Sequence, residues 1–210
     1  MSGHPLSQPG FRLYLITDRK LVPDIIGACG MALDGGVRAI QLREKDLPVR
    51  ELLELAGKLR LLTEKYGAML FINDRVDAAL ASGADGVHLG VDGIPPGAVR
   101  KIAGEKLMIG ASTHSMEEAR RAERSGADFI TMGPIYETPS KIKYGPPLGL
   151  RIIAEAAREL SIPVFALGGI KKENMAEALG AGAYGIALIS AILGAGDIKK
   201  DTQKFMRMLK

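Results

Sequence analysis

The sequence is poor in features that mark several protein classes. It has one cysteine, Cys29, and no tryptophan. A single cysteine excludes an internal disulfide and any metal site built from several cysteines, and its apolar neighbours predict that Cys29 fills the core. No stretch approaches the roughly 18 consecutive apolar residues of a transmembrane helix, so we expect no membrane span.

The charge balance also lacks a strong bias. The formal net charge is +4, and no cluster of Lys and Arg alternates with aromatic residues, so nucleic-acid binding is not expected. Residues 1–10 are polar and rich in Pro and Gly, without the apolar run of a secretory signal. We therefore expect a flexible tail over residues 1–10, one domain over residues 11–210 and a cytoplasmic location.

Short apolar runs alternate with longer amphipathic segments along the chain. Runs this short and this apolar are typical of strands that are covered on both faces, as in a parallel sheet. The intervening segments have helical spacing, most clearly over residues 49–65. The eight runs occupy residues 13–16, 39–42, 69–72, 86–89, 107–110, 129–132, 164–167 and 185–188.

An internal repeat supports this count. The pattern Gly-Ala-Asp-Gly-Val at 83–87 returns as Gly-Ala-Asp-Phe-Ile at 126–130 and Gly-Ala-Tyr-Gly-Ile at 182–186, with a weaker copy at 36–40. Each copy leads into an even-numbered run, and its glycine is a typical helix stop. The pattern predicts an α/β fold, a single (β/α)8 TIM barrel, in preference to an open doubly wound sheet.

Polar residues are concentrated directly after these runs, whereas Gly, Ala and Pro dominate the turns that precede them. Because barrel enzymes carry their chemistry at the carboxyl ends of the strands, this asymmetry predicts a functional rim. Gly168, Gly169 and Ser190, after the seventh and eighth runs, are typical of a phosphate site.

A second anion site is predicted after the second run. Gln41, Arg43 and Lys45 alternate along an extended segment, so their side chains face the same way; if they face the barrel mouth, they form a wall of donors suited to a diphosphate. Asp74 follows the next run. A carboxylate beside an anion site is unfavourable unless a cation bridges the two, and Mg²⁺ is the natural bridge.

These residues together resemble the thiamine phosphate synthase and thiazole tautomerase family over about residues 13–192. The resemblance rests on Gln-Leu-Arg-Glu-Lys at 41–45, Asn-Asp-Arg at 73–75, Gly-Val-His-Leu-Gly at 86–90, the segment 133–141 and Gly-Gly-Ile at 168–170. It implies a reaction in which hydroxymethylpyrimidine diphosphate and a thiazole phosphate carboxylate give thiamine phosphate, diphosphate and CO2. The partners implied are therefore these small molecules, and a homo-oligomer is possible.

The resemblance also implies roles for individual residues. Arg43, Lys45, Ser112 and Lys141 would be catalytic, and Asp74 and Asp92 would hold Mg²⁺. The pyrimidine diphosphate would contact Gln41, Leu42, Arg43, Glu44, Lys45, Asn73, Ser112 and Lys141. The thiazole phosphate would contact Thr138, Pro139, Ser140, Gly169, Ile189 and Ser190.

Two positions depart from the pattern of the synthases. Val91 stands where they usually have Gln, and Gly93 stands where they have a second Mg²⁺-binding Asp, which leaves Asp92 one residue early. Two alternatives therefore stay open. One is a thiazole tautomerase that needs no Mg²⁺ and uses His114 as its acid–base group; the other is a non-catalytic protein that binds the precursors.

Overall fold

Eight parallel strands close into a barrel in the computed structural model, which describes residues 9–138 and 146–209. Each strand pairs with the next one in sequence, and β8 pairs with β1. The predicted (β/α)8 TIM barrel is therefore confirmed. In chain order, β1 to β8 are Leu13–Ile16, Ala39–Leu42, Met69–Asn73, Gly86–Leu89, Met108–Thr113, Phe129–Met132, Val164–Leu167 and Gly185–Leu188.

Helices separate the strands and cover the outside of the barrel. The helix over Val49–Lys65 has the predicted bounds, and it buries Leu52, Ala56 and Leu59 against the sheet. This spacing of three and four residues is that of one helical face. In chain order, α1 to α9 are Ile25–Asp34, Val49–Lys65, Val76–Ala81, Pro96–Ala103, Met116–Arg124, Leu150–Glu159, Met175–Gly180, Ser190–Leu193 and Ile198–Met208.

The barrel interior is filled by a cluster of aromatic rings that is separate from the larger core between strands and helices. Neighbouring rings in this cluster lie 5.3–6.3 Å apart between centroids, mostly tilted or edge to face. Phe11, just before β1, belongs to it and closes the end opposite the predicted site. The interior is thus a packed floor and not a pore. The rings are Phe11, Tyr14, Phe71, Phe129 and Phe165.

The internal repeat has a structural explanation at this closed end of the barrel. Gly36, Gly83, Gly126 and Gly182 all have a positive φ, as expected of a glycine that ends a helix. The aspartate of the repeat then binds the preceding strand: Asp128 Oδ2 accepts from the backbone N–H of Ile109 at 2.6 Å and from the Arg100 guanidinium. Asp85 makes the same pair of contacts with Leu70 and Arg60.

Two strands extend further than the apolar runs indicate. β3 includes Asn73, and β5 includes Ser112 and Thr113. Hydrophobicity misses these residues because they are polar, although their backbones still pair: Ser112 lies opposite Thr131 of β6. The polar side chains are therefore held by the sheet and not by loops.

The ends of the chain are only partly described. Most of the predicted tail, residues 1–8, lies outside the described residues. Pro9 is buried, and its carbonyl oxygen accepts a hydrogen bond from Tyr184 Oη at 2.6 Å. Over residues 9–138 and 146–209, none of the helices combines the length and the apolarity that crossing a membrane requires.

Candidate active site

A layer of polar side chains lies inside the barrel, on the side of the aromatic floor nearer the carboxyl ends of the strands. Gln41 is two residues beyond Ala39 in β2, and Thr131 is two residues beyond Phe129 in β6, so these side chains point inward above the floor. Gln41 Nε2 donates to Tyr14 Oη at 3.2 Å. This bond fixes the Gln41 amide at the base of the rim.

His88 joins three strands in the same layer. Its Nε2 lies 3.1 Å from Ser112 Oγ and 3.3 Å from Thr131 Oγ1. Burial, aided by the nearby charge of Arg43, lowers the pKa of His88 to about 3. The ring is therefore neutral at physiological pH, which argues against an acid–base role and for a part in holding Ser112.

Two cations at the rim have no side-chain partner among the described residues. Arg43 is half-buried and Lys45 is exposed. Within the described ranges, neither the Arg43 guanidinium nor the Lys45 ammonium makes a hydrogen bond or an ion pair, whereas Arg19, Arg60 and Arg100 each bind a carboxylate. A half-buried cation is normally paired, so Arg43 is a strong candidate for an anion ligand.

Leu42 and Glu44, which alternate with these residues, face away from the rim. Leu42 is fully buried in the core between strands and helices, so only its backbone is available to a ligand. Glu44 points to the segment after β1, where Thr17 Oγ1 donates to its Oε1 at 2.7 Å and Arg19 Nη1 donates to its Oε2 at 3.2 Å. This placement favours a structural role for Glu44 over the substrate contact that the sequence predicts.

Asp74 stands at the end of β3 in an unusual backbone conformation. Its φ is +59°, a left-handed value that Asp and Asn tolerate better than most residues. Asn73 Nδ2 donates to its Oδ2 at 2.7 Å, and the N–H of Gly90 donates to its Oδ1 at 2.6 Å. Each carboxylate oxygen keeps a lone pair for a cation. Since Leu42 lies opposite Ile72, Arg43 and Asn73 are neighbours across the ladder.

The segment after β4 brings Gly93, and not Asp92, against this carboxylate. A methyl group added at Gly93 would lie 2.8 Å from Asp74 Oδ1. Asp92 is exposed on the same segment. Among the residues described, no group of three or more His, Cys, Asp or Glu side chains is arranged to hold a metal. A Mg²⁺ ion at this rim could use the Asp74 carboxylate, with water and oxygens of the ligand filling other positions.

The ends of β7 and β8 lie beside the segment that follows β6. A Cβ at Gly168 would lie 2.6 Å from Pro134, and one at Gly169 would lie 2.6 Å from the carbonyl oxygen of Glu137. Both glycines also have a positive φ. The close approach of two backbones therefore explains the Gly-Gly pair. Ile189 and Ser190 follow β8; Ile189 packs against the barrel core and Ser190 is exposed.

Of the remaining predicted residues, His114 and Thr138 lie within the described ranges. His114 is exposed after β5, where its Nδ1 lies 3.4 Å from Glu118 Oε2. Thr138 is half-buried at the edge of the described range. Pro139, Ser140 and Lys141 lie outside the described residues, so their predicted contacts with substrate stay predictions.

Several residues that shape this site have no role predicted from the sequence. Tyr14 accepts a hydrogen bond from Gln41, and Thr17 donates one to Glu44. Tyr14 lies within the apolar strand β1, and Thr17 directly follows it. Tyr136 Oη donates to Glu177 Oε2 at 3.0 Å and so ties the segment after β6 to α7. Only the polar end of each side chain, in an otherwise buried position, could have marked them.

A family model, curated relatives and a solved structure point to the same family. The family model described as thiamine monophosphate synthase matches residues 13–192. A thiamine-phosphate synthase of Halalkalibacterium halodurans is 47% identical, with 95% of each chain covered. One of Pyrococcus horikoshii is 44% identical, with 94% of each chain covered. The solved thiamine phosphate pyrophosphorylase of Pyrococcus furiosus has a TM-score of 0.88 at 42% identity, covering 95% of each chain.

Proposed function

The chain belongs to the thiamine monophosphate synthase family, and from this we propose that it is a thiamine-phosphate synthase, a transferase. Its substrates are hydroxymethylpyrimidine diphosphate and a thiazole phosphate carboxylate. Its products are thiamine phosphate, diphosphate and CO2. A cytoplasmic location and a homo-oligomeric assembly remain predictions.

The proposed chemistry needs a clamp on the leaving diphosphate more than it needs a nucleophile. When diphosphate departs, the pyrimidine methylene becomes cationic and the thiazole nitrogen attacks it, with loss of CO2. Negative charge builds up on the leaving group, so positioned cations and hydrogen-bond donors there lower the barrier. Arg43, Lys45, Ser112 and Lys141 are the groups that we assign to this clamp.

One observation carries the proposal: Arg43 is half-buried and has no carboxylate partner within the described part of the chain. Arginines elsewhere, such as Arg60 and Arg100, are held by aspartates. A cation with no carboxylate partner among the described residues, beside a fully buried and uncharged His88, favours an anionic ligand in the barrel mouth.

The residues at the end of β3 fit a Mg²⁺ ion that is shared with the diphosphate. Asp74 offers a carboxylate whose oxygens each accept only one hydrogen bond from the protein. Mg²⁺ commonly takes one or two carboxylates and fills its other positions with water and substrate phosphate oxygens. The ion would neutralise charge on the leaving group. Asp92, exposed and one residue before Gly93, stays a predicted second ligand.

We assign the thiazole phosphate to the ends of β7 and β8. Gly169, Ile189 and Ser190 line this part of the rim, and Thr138 with Pro139 and Ser140 would complete it. Backbone N–H groups at the Gly168–Gly169 turn would donate to this phosphate. The two substrates would then meet above Gln41 and Ser112, with their anionic ends on opposite sides of the mouth.

The test is to incubate the purified protein with both precursors, with and without Mg²⁺, and to measure thiamine phosphate by fluorescence after oxidation. We expect product that requires both precursors and Mg²⁺. Isomerisation of the thiazole alone, without Mg²⁺, would instead identify a tautomerase. Binding of both precursors without either reaction would identify a non-catalytic protein.

A further inference from the structure

The segment after β1 holds Glu44 through an unusually complete set of bonds. The Arg19 backbone N–H lies 3.1 Å from Oε1 and 3.2 Å from Oε2, in addition to the contacts of Thr17 Oγ1 and Arg19 Nη1. The Glu44 side chain is only 2% exposed. Both carboxylate oxygens are thus bonded, and the charge is balanced by Arg19.

Thr17 links this carboxylate to the backbone of the clamp. Its hydroxyl donates to Glu44 Oε1 at 2.7 Å and accepts from the backbone N–H of Arg43 at 2.9 Å. The hydroxyl is fully buried, so neither bond is replaced by water. The position of the Arg43 backbone therefore depends on the same side chain that orients Glu44.

The position of the Glu44 carboxylate affects Arg43 and Lys45, the cations on either side of it in the sequence. A carboxylate between Arg43 and Lys45 would neutralise them if it turned toward the rim. Arg19 holds it on the opposite face, and Asp46 in turn holds the Arg19 guanidinium, with 2.6 Å between Nη1 and Oδ1. Arg43 and Lys45 are consequently not paired with Glu44, and their charges can act on an anionic ligand.

We propose that Thr17, Arg19 and Glu44 form a positioning unit that aims Arg43 into the barrel mouth and keeps the Glu44 charge away from the anion clamp. The proposal rests on the proposed function, because it assumes that Arg43 binds the diphosphate. Arg19 in this account is not a ligand of the substrate; it acts through Glu44.

Titration calorimetry with inorganic diphosphate in the presence of Mg²⁺ tests whether Arg19 keeps the Glu44 charge away from Arg43. Arg19→Ala should weaken binding roughly five- to tenfold, because Glu44 loses its counter-charge and competes for Arg43. Adding Glu44→Gln should restore binding to within about twofold of the wild type, because the amide keeps the acceptor but not the charge. Arg120→Ala is the matched control, since Arg120 also binds two carboxylates, those of Glu155 and Glu159, but between the outer helices α5 and α6.

The outcomes separate this proposal from the proposed function. Wild-type protein that binds no diphosphate contradicts the function and overturns this proposal with it. Wild-type binding with an unaffected Arg19→Ala variant, or without rescue by Glu44→Gln, overturns the positioning unit alone. Failure of rescue would mean that Arg19 affects binding by a route other than the charge of Glu44.

The Thr17 hydroxyl is tested by a conservative pair of variants. Thr17→Val should weaken diphosphate binding, and Thr17→Ser should retain it, because serine keeps both hydrogen bonds. Thr63→Val is the control: Thr63 is equally buried and donates to the carbonyl oxygen of Arg60, near the end of α2. Equal loss of diphosphate binding in Thr17→Val and Thr63→Val, measured on folded protein, would reduce Thr17 to a general structural role.

Discussion

Replacing Arg43 with methionine should remove most of the catalytic efficiency while leaving the stability of the fold almost unchanged. The guanidinium makes no hydrogen bond or ion pair within the described residues, so no protein group loses a partner. Methionine keeps the apolar stem that lies in the half-buried position. The free energy of unfolding should change by less than about 0.5 kcal/mol.

The expected loss of activity follows from the contact that Arg43 is proposed to make. A guanidinium that binds a diphosphate with two charge-assisted hydrogen bonds contributes about 2–4 kcal/mol to the stabilisation of the leaving group. This corresponds to a fall in kcat/KM of roughly 30- to 700-fold.

Arg100→Met is the matched control with the opposite expectation. Arg100 binds Asp128 and donates to the carbonyl oxygens of Gly104, Gly126 and Leu107. Its loss leaves a partly buried carboxylate without its counter-ion, which costs about 3 kcal/mol and lowers Tm by roughly 6–12 °C. The folded variant should keep its kcat/KM, because Arg100 lies at the closed end of the barrel.

Steady-state kinetics with both precursors and thermal unfolding by circular dichroism measure the two effects on the same preparations. The reasoning is refuted if Arg43→Met loses stability as Arg100→Met does, since Arg43 would then be a structural arginine. It is also refuted if Arg43→Met keeps a kcat/KM within about threefold of the wild type.

Three further outcomes follow from the site. Asp74→Asn should fold, because Asn also tolerates the φ of +59°, but its activity should need at least roughly tenfold more Mg²⁺; an unchanged Mg²⁺ titration would remove Asp74 as the ligand. Gly169→Ala should raise the KM for the thiazole phosphate, because its Cβ would lie 2.6 Å from the backbone oxygen of Glu137. Gly83→Ala, at a similar φ but in open space, should cost only about 1 kcal/mol of stability and leave this KM unchanged. The same KM for the thiazole phosphate in both variants would contradict the assignment. His88 has a folded pKa of about 3, below the unfolded value, so the unfolded state alone binds this proton between about pH 6.5 and 3, and stability falls as the pH falls through that range. Urea unfolding should show a loss of about 1.6 kcal/mol from this group between pH 6.5 and 5, and His88→Gln should lack it; a variant with the wild-type slope would contradict the assignment.

The fold was predictable because its signals repeat. Three kinds of local pattern predict the same barrel: the apolar runs, the glycines that end helices and the Gly-Ala repeats before even-numbered strands. Local sequence preferences therefore agree with the overall fold. Asp85 and Asp128 show what the repeat alone does not reveal. Their spacing marks a repeated unit, but their hydrogen bonds to a neighbouring strand depend on register, which only the closed barrel defines.

The site was predictable where side-chain direction follows from strand periodicity. Alternation predicts that Gln41, Arg43 and Lys45 face the same way, and Gln41 does lie inside the barrel, whereas Leu42, which was predicted to contact substrate, is buried in the core between strands and helices. Periodicity does not say which neighbour a side chain meets. Glu44 is adjacent to the clamp in sequence, yet its partners Thr17 and Arg19 come from another strand. Likewise, a loop decides that Gly93, and not Asp92, faces Asp74.

A crystal structure with Mg²⁺ and inorganic diphosphate is the most direct test of the account. We expect one diphosphate in the barrel mouth, bound by the Arg43 guanidinium and, through Mg²⁺, by the Asp74 carboxylate. The Glu44 carboxylate should still be bonded to Arg19. A diphosphate that binds away from these side chains, or one that leaves Arg43 and Asp74 without contact to the same molecule, would contradict it.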